Sequence, residues 1–391
     1  EALYKVDLDL KGYQPKYFGH PRQIKLAAKA IGEAKKPVII AGAGVIKSGA
    51  HELLRELAEK CEIPVAMTLL GLGSIPSLHD LSLEMLGMHG TVYSNYAVHN
   101  SDLVIGIGMR FDDRITGDTE QFCPNAKVIH IDIDPAEISK NIHADIPIVG
   151  DVKNVLIELL KEVSEKTNID WLNQIKEWKN EYPLQYTKRD DEIRPQHAIE
   201  TISNITKGEA VIITDVGQHQ MWTAQYYKFN KAGNFCSSGG AGTMGYGVPG
   251  GMGAQVGRPN DIVVSIVGDG GFQMTSQELM TIMQYKLPVK TVILNNGFLG
   301  MVRQWQEIFH SKRYSSVDLS MNPNFVKLGE AYGMTSIKIE KPEELESKLK
   351  EHLLSNEPVL IEIVVTKEDN VFPMIPAGKS VNELMGKKGE L

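Results

Sequence analysis

The sequence is poor in cysteine. Its three thiols, Cys61, Cys123 and Cys236, lie far apart and form no Cys-x-x-Cys pair. They give no sign of a disulfide framework or a zinc site and suit a reducing, cytoplasmic compartment. No run of about 18 uninterrupted apolar residues occurs, so no helix is expected to span a membrane. The opening stretch, "EALYKVDLDLKGYQPKY", holds no apolar signal core, and it starts on Glu1 rather than Met, so an upstream segment is expected to have been removed. Positive charge is also short. With 41 Lys and Arg against 49 Asp and Glu, the formal net charge is -8, which argues against nucleic acid or an anionic membrane as the main partner. What remains is ordinary: 42% hydrophobic and 23% charged residues over 391 positions, enough for two globular domains with sizeable cores.

Two blocks alternate β-rich runs with amphipathic helical stretches. In the first, "PVIIAGAG", "PVAMT", "DLVIGIGM", "AKVIHIDID" and "PIVGD" read as strands, and "GAHELLRELAEKCE" carries Leu53, Leu54, Leu57 and Cys61 at helical spacing. In the second, "AVIITDVG", "DIVVSIVGDG", "VKTVILNNG" and "PVLIEIVV" are strands, with "TSQELMTIMQYK" a helix between two of them. Strands apolar on both faces, alternating with helices, predict two doubly wound α/β domains with parallel sheets. The expected division is a lead segment 1–18, a central domain 19–165, a helical connector 166–194 and a second domain 195–391.

Within the second block, "SIVGDGGFQM" (265–274) sets a buried run directly against Gly268-Asp269-Gly270. Asp-Gly alone is a hairpin signal. Its surroundings point elsewhere: Thr275 and Ser276 are good helix caps, Glu278 falls in the first turn, and Leu279, Ile282 and Met283 form an apolar face. A second strand follows Pro288 and ends in Asn295-Asn296-Gly297. If the two strands are neighbours, Asp269 and Asn296 emerge at one sheet edge, where open α/β folds bind ligands. A carboxylate beside an amide carbonyl makes a hard oxygen pair suited to Mg²⁺ or Ca²⁺. Gly268, Gly270 and Gly271 let backbone approach a bulky ligand and offer N–H groups to anionic oxygens near a helix start. Together these describe a diphosphate site.

Gly268-Asp269-Gly270 followed by Asn295-Asn296 resembles the thiamin-diphosphate motif in order and spacing. The resemblance implies Mg²⁺ held by Asp269, Asn296 and the main chain of Phe298, anchoring the cofactor's diphosphate. "DVGQHQMWTAQYY" (215–227), "SSGGAGTMGYGVPGGMGAQ" (237–255) and "NNGFLGMVRQWQ" (295–306) resemble the catalytic subunit of the acetohydroxyacid (acetolactate) synthase family, from about residue 20 to the C-terminus. By that resemblance Gln218 and His219 sit near the diphosphate. Gly242, Gly300 and Met301 also contact the cofactor, and Met244 is the apolar wedge beneath it. Met301 and Val302 line the thiazolium side, and Trp305 flanks the second substrate.

In the first block, "AGAGVIKSG" (41–49) is a glycine-rich turn, and no acid ends the next strand as an NAD site requires: Glu62 precedes its strand, and Asp132 and Asp134 come much later. "MRFDDRITGD" (109–118) carries two arginines and three aspartates after a strand, too many charges to bury without partners. It resembles the synthase family's flavin domain. The implied FAD contacts are Gly42, Ala43, Gly44, Thr68, Leu69, Gly87, Met88 and His89, then Gly108, Arg110, Asp112, Arg114, Ile115, Asp132, Ile133 and Asp151. Arg114 is also the expected anchor for the second ketoacid's carboxylate.

The implied reaction condenses pyruvate with a second pyruvate or 2-ketobutyrate, with loss of CO₂, giving 2-acetolactate or 2-aceto-2-hydroxybutyrate in branched-chain amino acid biosynthesis. FAD would be structural, because no net electron transfer occurs. The family carries a further N-terminal pyrimidine-binding domain with an activating glutamate, which this sequence does not show. The chain is therefore expected to be part of the enzyme, folded but inactive alone, with an apolar face that promotes self-association. The complete enzyme would be a homodimer or homotetramer with a possible small regulatory subunit. "RFDDR" and "QWQ" disfavour a flavin-free catabolic acetolactate synthase, glyoxylate carboligase or 2-ketoacid decarboxylase. A non-catalytic cofactor-binding module is the alternative of a different class.

Overall fold

Strands apolar on both faces need cover on both sides, and the computed structural model, which describes residues 15–389, supplies it twice. The first sheet comprises β1 (Pro37–Ala41), β2 (Val65–Met67), β3 (Ser82–Met85), β4 (Leu103–Ile107), β5 (Lys127–Asp132) and β6 (Ile146–Val149). Its order is β3-β2-β1-β4-β5-β6, parallel throughout. The second comprises β7 (Val211–Thr214), β8 (Phe235–Ser237), β9 (Val263–Gly268), β10 (Lys290–Asn295), β11 (Thr335–Ile339) and β12 (Val359–Val364). It runs β11-β12-β10-β9-β7-β8, also parallel. Both are doubly wound α/β sheets, as the alternation predicts. In each, the chain leaves the middle of the sheet in both directions, so a crevice opens between β1 and β4 and between β7 and β9.

Three strands escape the sequence pattern. β3 and β8 are short edge strands, and β11 leaves four of its five residues unburied, so none presents a long apolar run. The helix after β9 also begins earlier than its cap residues indicate. It starts at Asp269 itself, with Gly268 as N-cap, and a second helix occupies Glu278–Gln284. Thr275 does not cap it. Its hydroxyl donates to Gly245 O at 2.9 Å, and Ser276 lies at the junction of the two helices.

The charged stretch between the blocks is only partly a connector. Its helix Ile169–Glu181 buries Trp171 and Ile175, and Trp171 Nε1 donates to Pro37 O at the start of β1. That helix covers the first sheet, which leaves residues 182–194 as the crossing. Residues 1–14 of the expected lead segment lie outside the described residues. No helix among the described residues is long and apolar enough to cross a membrane.

The two units are joined by polar contacts as well as by packing. Gln225 Nε2, from the second unit, donates to His89 O at 2.9 Å and Phe372 O at 3.2 Å. Ile375 N donates to Met88 O at 2.8 Å. The His89 ring is therefore sealed between the first unit and the C-terminal segment, its Nδ1 3.4 Å from Pro373 O. Burial pulls its pKa from 6.5 down to about 4. Between those values the unfolded chain binds a proton that the folded chain refuses, so stability rises as pH climbs through this window. His89 should add a rising component to the melting temperature between pH 4 and pH 6.5, and His89→Gln should make the observed slope less positive there. An unchanged slope would show that His89 does not titrate on unfolding.

Candidate functional site

Parallel pairing sets Leu294 of β10 beside Gly268 of β9, so Asp269 and Asn296 leave adjacent strands at one edge. A cleft there is lined by Val216–His219 after β7, Gly268–Gly271 after β9, and Asn296 with Phe298–Val302 after β10. Met244 and Trp222 complete the wall. It lies at the point where the strand order reverses. Of the residues implied by resemblance, the structure brings Gln218, His219, Met244, Gly268, Asp269, Gly270, Gly271, Asn296, Phe298, Gly300, Met301 and Val302 to this single cleft.

Asp269 is buried at 1% exposure. Gly297 N donates to its Oδ2 at 3.0 Å and Gly270 N to its Oδ1 at 3.1 Å. Burial outweighs these bonds and pushes its pKa from 3.8 up to about 6. Asn296 is buried too, and its Oδ1 accepts from Phe298 N at 3.1 Å while its Nδ2 reaches Gln218 Oε1 at 3.4 Å. Gln218 is thus committed to protein partners. Its Nε2 donates to Gln304 Oε1 at 2.8 Å and to Asp369 O at 2.9 Å. Gln304, fully buried, also takes Val371 N on Oε1 at 2.8 Å. A relay of three amides therefore orients Asn296.

His219 lines the same cleft, and burial pulls its pKa down to about 4, so it is neutral at physiological pH. Its Nε2 and the indole Nε1 of Trp222 are buried without a hydrogen-bond partner. Two orphaned polar atoms in one wall carry a desolvation cost that a polar ligand would relieve.

The glycines also have a packing reason. A Cβ at Gly270 would lie 2.5 Å from Leu299 Cδ2, at Gly271 2.4 Å from Asp215 Oδ1, and at Gly300 2.1 Å from Gln218 Oε1. The protein's own groups occupy the Cβ positions, while the three glycines still line the cleft.

Sequence reasoning passed over Asp215. It ends β7 as Asp269 ends β9, and that repeated pattern of a buried run closed by a lone acid is the signal that could have found it. Fully buried, it accepts from Gly245 N at 3.1 Å and Gly247 N at 2.9 Å. It thereby pins the loop that carries Met244. Gly242, at the exposed tip of that loop with φ +62°, does not line the cleft.

Trp305 and Arg114 are not brought to the cleft within one chain. Trp305 lies one turn beyond Val302, against Phe309 at 4.9 Å between ring centroids, in a surface depression that adjoins the cleft at Val302. Arg114 belongs to the first unit and is 63% exposed, paired with Asp113 at 2.7 Å. Arg110 pairs with Asp112 at 2.8 Å. The charges of "RFDDR" thus stay in solvent, and Phe111 is the buried anchor, its ring 4.9 Å from that of His130.

The residues implied for FAD follow the carboxyl ends of the first sheet: Gly42, Ala43 and Gly44 after β1, Thr68 and Leu69 after β2, and Gly87, Met88 and His89 after β3. Gly108, Arg110, Asp112 and Ile115 follow β4, Asp132 and Ile133 close β5, and Asp151 caps the helix Val152–Glu162. Gly42 and Gly44 face the Gly108 backbone, which a Cβ on either would meet at 2.2 Å and 2.6 Å. Those glycines let the β1 turn pack on the end of β4. A groove joins Met88, Arg114 and Ile115 to the C-terminal segment at Ile375–Ala377.

The family profile described as the thiamine pyrophosphate enzyme C-terminal TPP binding domain matches residues 215–363, and that of the central domain matches residues 24–159. The chain is 49% identical over 389 residues to a protein named probable acetolactate synthase large subunit from Methanocaldococcus jannaschii, covering 97% of this chain and 65% of that protein. It is 46% identical to the acetolactate synthase large subunit of Haemophilus influenzae, covering 98% and 68%. It is 44% identical to the isozyme 3 large subunit of Escherichia coli, covering 99% and 69%. The chain thus spans about two thirds of the length of these relatives.

Asp215→Ala should destabilise the fold by about 1–3 kcal/mol for each buried amide it strands. Urea denaturation should show the loss, and limited proteolysis should locate new cleavage within 238–247. An unshifted midpoint would remove Asp215 from this role.

Proposed function

The chain belongs to the acetolactate synthase large-subunit family of thiamine pyrophosphate enzymes, and on that premise we propose that its cleft holds the diphosphate end of thiamin diphosphate through a divalent cation. The carrying observation is the buried Asp269 beside Asn296 at a parallel sheet edge. The donor set supports this: one carboxylate, one amide oxygen and the Phe298 carbonyl are hard ligands suited to Mg²⁺. Among the described residues no cluster of three His, Cys, Asp or Glu competes for a metal. The orphaned His219 Nε2 and Trp222 Nε1 are in the same wall.

When bound, thiamin diphosphate supplies a carbon nucleophile at its thiazolium C2. The chain's residues do the holding. Asp269 and Asn296 grip the cation, the three-amide relay fixes Asn296, and Met244, Leu299 and Met301 give the cleft an apolar side that limits water. The reaction we infer is condensation of pyruvate with a second 2-ketoacid, with loss of CO₂. Pyruvate as acceptor yields 2-acetolactate and 2-ketobutyrate yields 2-aceto-2-hydroxybutyrate. Asp269 is the only carboxylate lining the cleft among the described residues. The proton-handling acid must then come from elsewhere, by the family resemblance from a second subunit in a dimer or tetramer, to which a small regulatory subunit also binds. FAD would lie along the carboxyl edge of the first sheet, across the turns after β1 to β4, the last of which carries the exposed guanidiniums of Arg110 and Arg114, and would serve there as a structural group.

Thiamin diphosphate should quench tryptophan fluorescence in a Mg²⁺-dependent titration, and the purified protein should carry a flavin absorption band. Asp269→Asn should abolish the Mg²⁺ dependence while leaving the melting temperature intact. Undiminished cofactor affinity in that variant would sink the metal assignment. Synthase-level acetolactate from this polypeptide alone would overturn the second-subunit requirement.

Trp305, on the same helix as Met301, sets the size of the second ketoacid. In the active assembly Trp305→Leu should lower the preference for 2-ketobutyrate over pyruvate, since a methylene contact is worth about 1–3 kcal/mol in discrimination. Competition assays giving the same product ratio would exclude that role.

A further inference from the structure

The segment after the helix Gly300–Phe309 turns back over the metal-side loop. Leu299 N donates to Val317 O and Leu319 N to Gly297 O, each at 2.8 Å, and Phe298 bridges Asp318 in antiparallel fashion. This return delivers Asn322 to Asp269. Asn322 Nδ2 donates to Asp269 Oδ2 at 2.7 Å and lies 3.3 Å from Asn295 Oδ1. Its own Oδ1 accepts from Gln273 Nε2 at 2.8 Å, so the amide is held at both ends and its orientation is set.

The two oxygens of Asp269 are then unequal. Among the contacts with other described residues, Oδ2 takes two donors, Asn322 Nδ2 and Gly297 N, whereas Oδ1 takes one, Gly270 N; the carboxylate is also held by its own backbone N–H. A carboxylate offers about two lone-pair positions per oxygen. Oδ2 is therefore filled by its neighbours and Oδ1 is the freer oxygen.

We propose that Asn322 is a positioning residue that makes Asp269 a one-oxygen ligand and thereby biases the site toward Mg²⁺ over Ca²⁺. The inference rests on the metal reading given above. Mg²⁺ demands near-octahedral geometry at about 2.0–2.1 Å and takes single carboxylate oxygens, whereas Ca²⁺ accepts both oxygens of one carboxylate at about 2.3–2.6 Å. With Asn322 in place, Oδ2 reaches a cation only by giving up two hydrogen bonds. Without it, Oδ2 keeps Gly297 alone, and the carboxylate is free to rotate toward a larger ion.

The test measures thiamin diphosphate binding by tryptophan quenching against titrated Mg²⁺ and Ca²⁺, so it needs no turnover. The unaltered chain should half-saturate at lower Mg²⁺ than Ca²⁺. Asn322→Ala should erode that ratio by about tenfold, the lower end of what partners behind a metal ligand typically contribute. Gln273→Ala, at an exposed position whose Nε2 is shared between Asn322 Oδ1 at 2.8 Å and Asp269 O at 3.1 Å, should move the ratio the same way by less, and it decides the matter if Asn322→Ala fails to fold. A ratio unchanged in the variants that fold would overturn the proposal, while loss of both metal responses in Asp269→Asn would leave the metal site standing. Metal dependence surviving in Asp269→Asn would overturn the site and this inference together.

Discussion

Parallel pairing of β9 with β10 is the constraint on which the site depends. It carries Asp269 and Asn296 to one edge and makes their loops neighbours. Everything else in the cleft is held relative to that edge. Asp215 pins the Met244 loop from β7, the helix Gly300–Phe309 starts against Gln218, and Asn322 returns to the carboxylate from the far side. An antiparallel arrangement would send one of these two residues to the opposite end of the sheet.

The fold class was legible because the buried strands are continuous apolar runs, and their helices show the longer period. Asp269 and Asn296 were legible for a related reason, since each is a polar residue that closes such a run. Local signals failed where tertiary contacts override them. Thr275 and Ser276 have the chemistry of caps, yet the helix starts at Asp269, with Gly268 as an extended N-cap, and Thr275 bonds the Gly245 carbonyl instead. The edge strands β3 and β8 and the mostly unburied β11 carry too little apolar pattern to announce themselves.

The glycines show the same limit. Gly270 and Gly271 were read from their surroundings, and Gly42 and Gly44 from the family resemblance, as ligand-facing; what excludes a side chain at each is the Gly108 backbone, Leu299 or Asp215. Such partners are distant in sequence, so no local pattern encodes them. Asn322 was invisible for a similar reason. It stands 53 residues from the carboxylate it contacts, in a stretch without helical or strand periodicity.

The amide relay from Gln304 through Gln218 to Asn296 joins two surfaces that have different jobs. Gln304 shares its helix with Trp305, which lines a depression adjoining the cleft at Val302, while Asn296 lines the cleft itself. A change that tilts the helix to reshape its outer face must also retune the amide at the inner one. In evolutionary terms the two faces are pleiotropic. Substitutions at the outer face are therefore constrained to those that leave the Gln304 side chain where it lies.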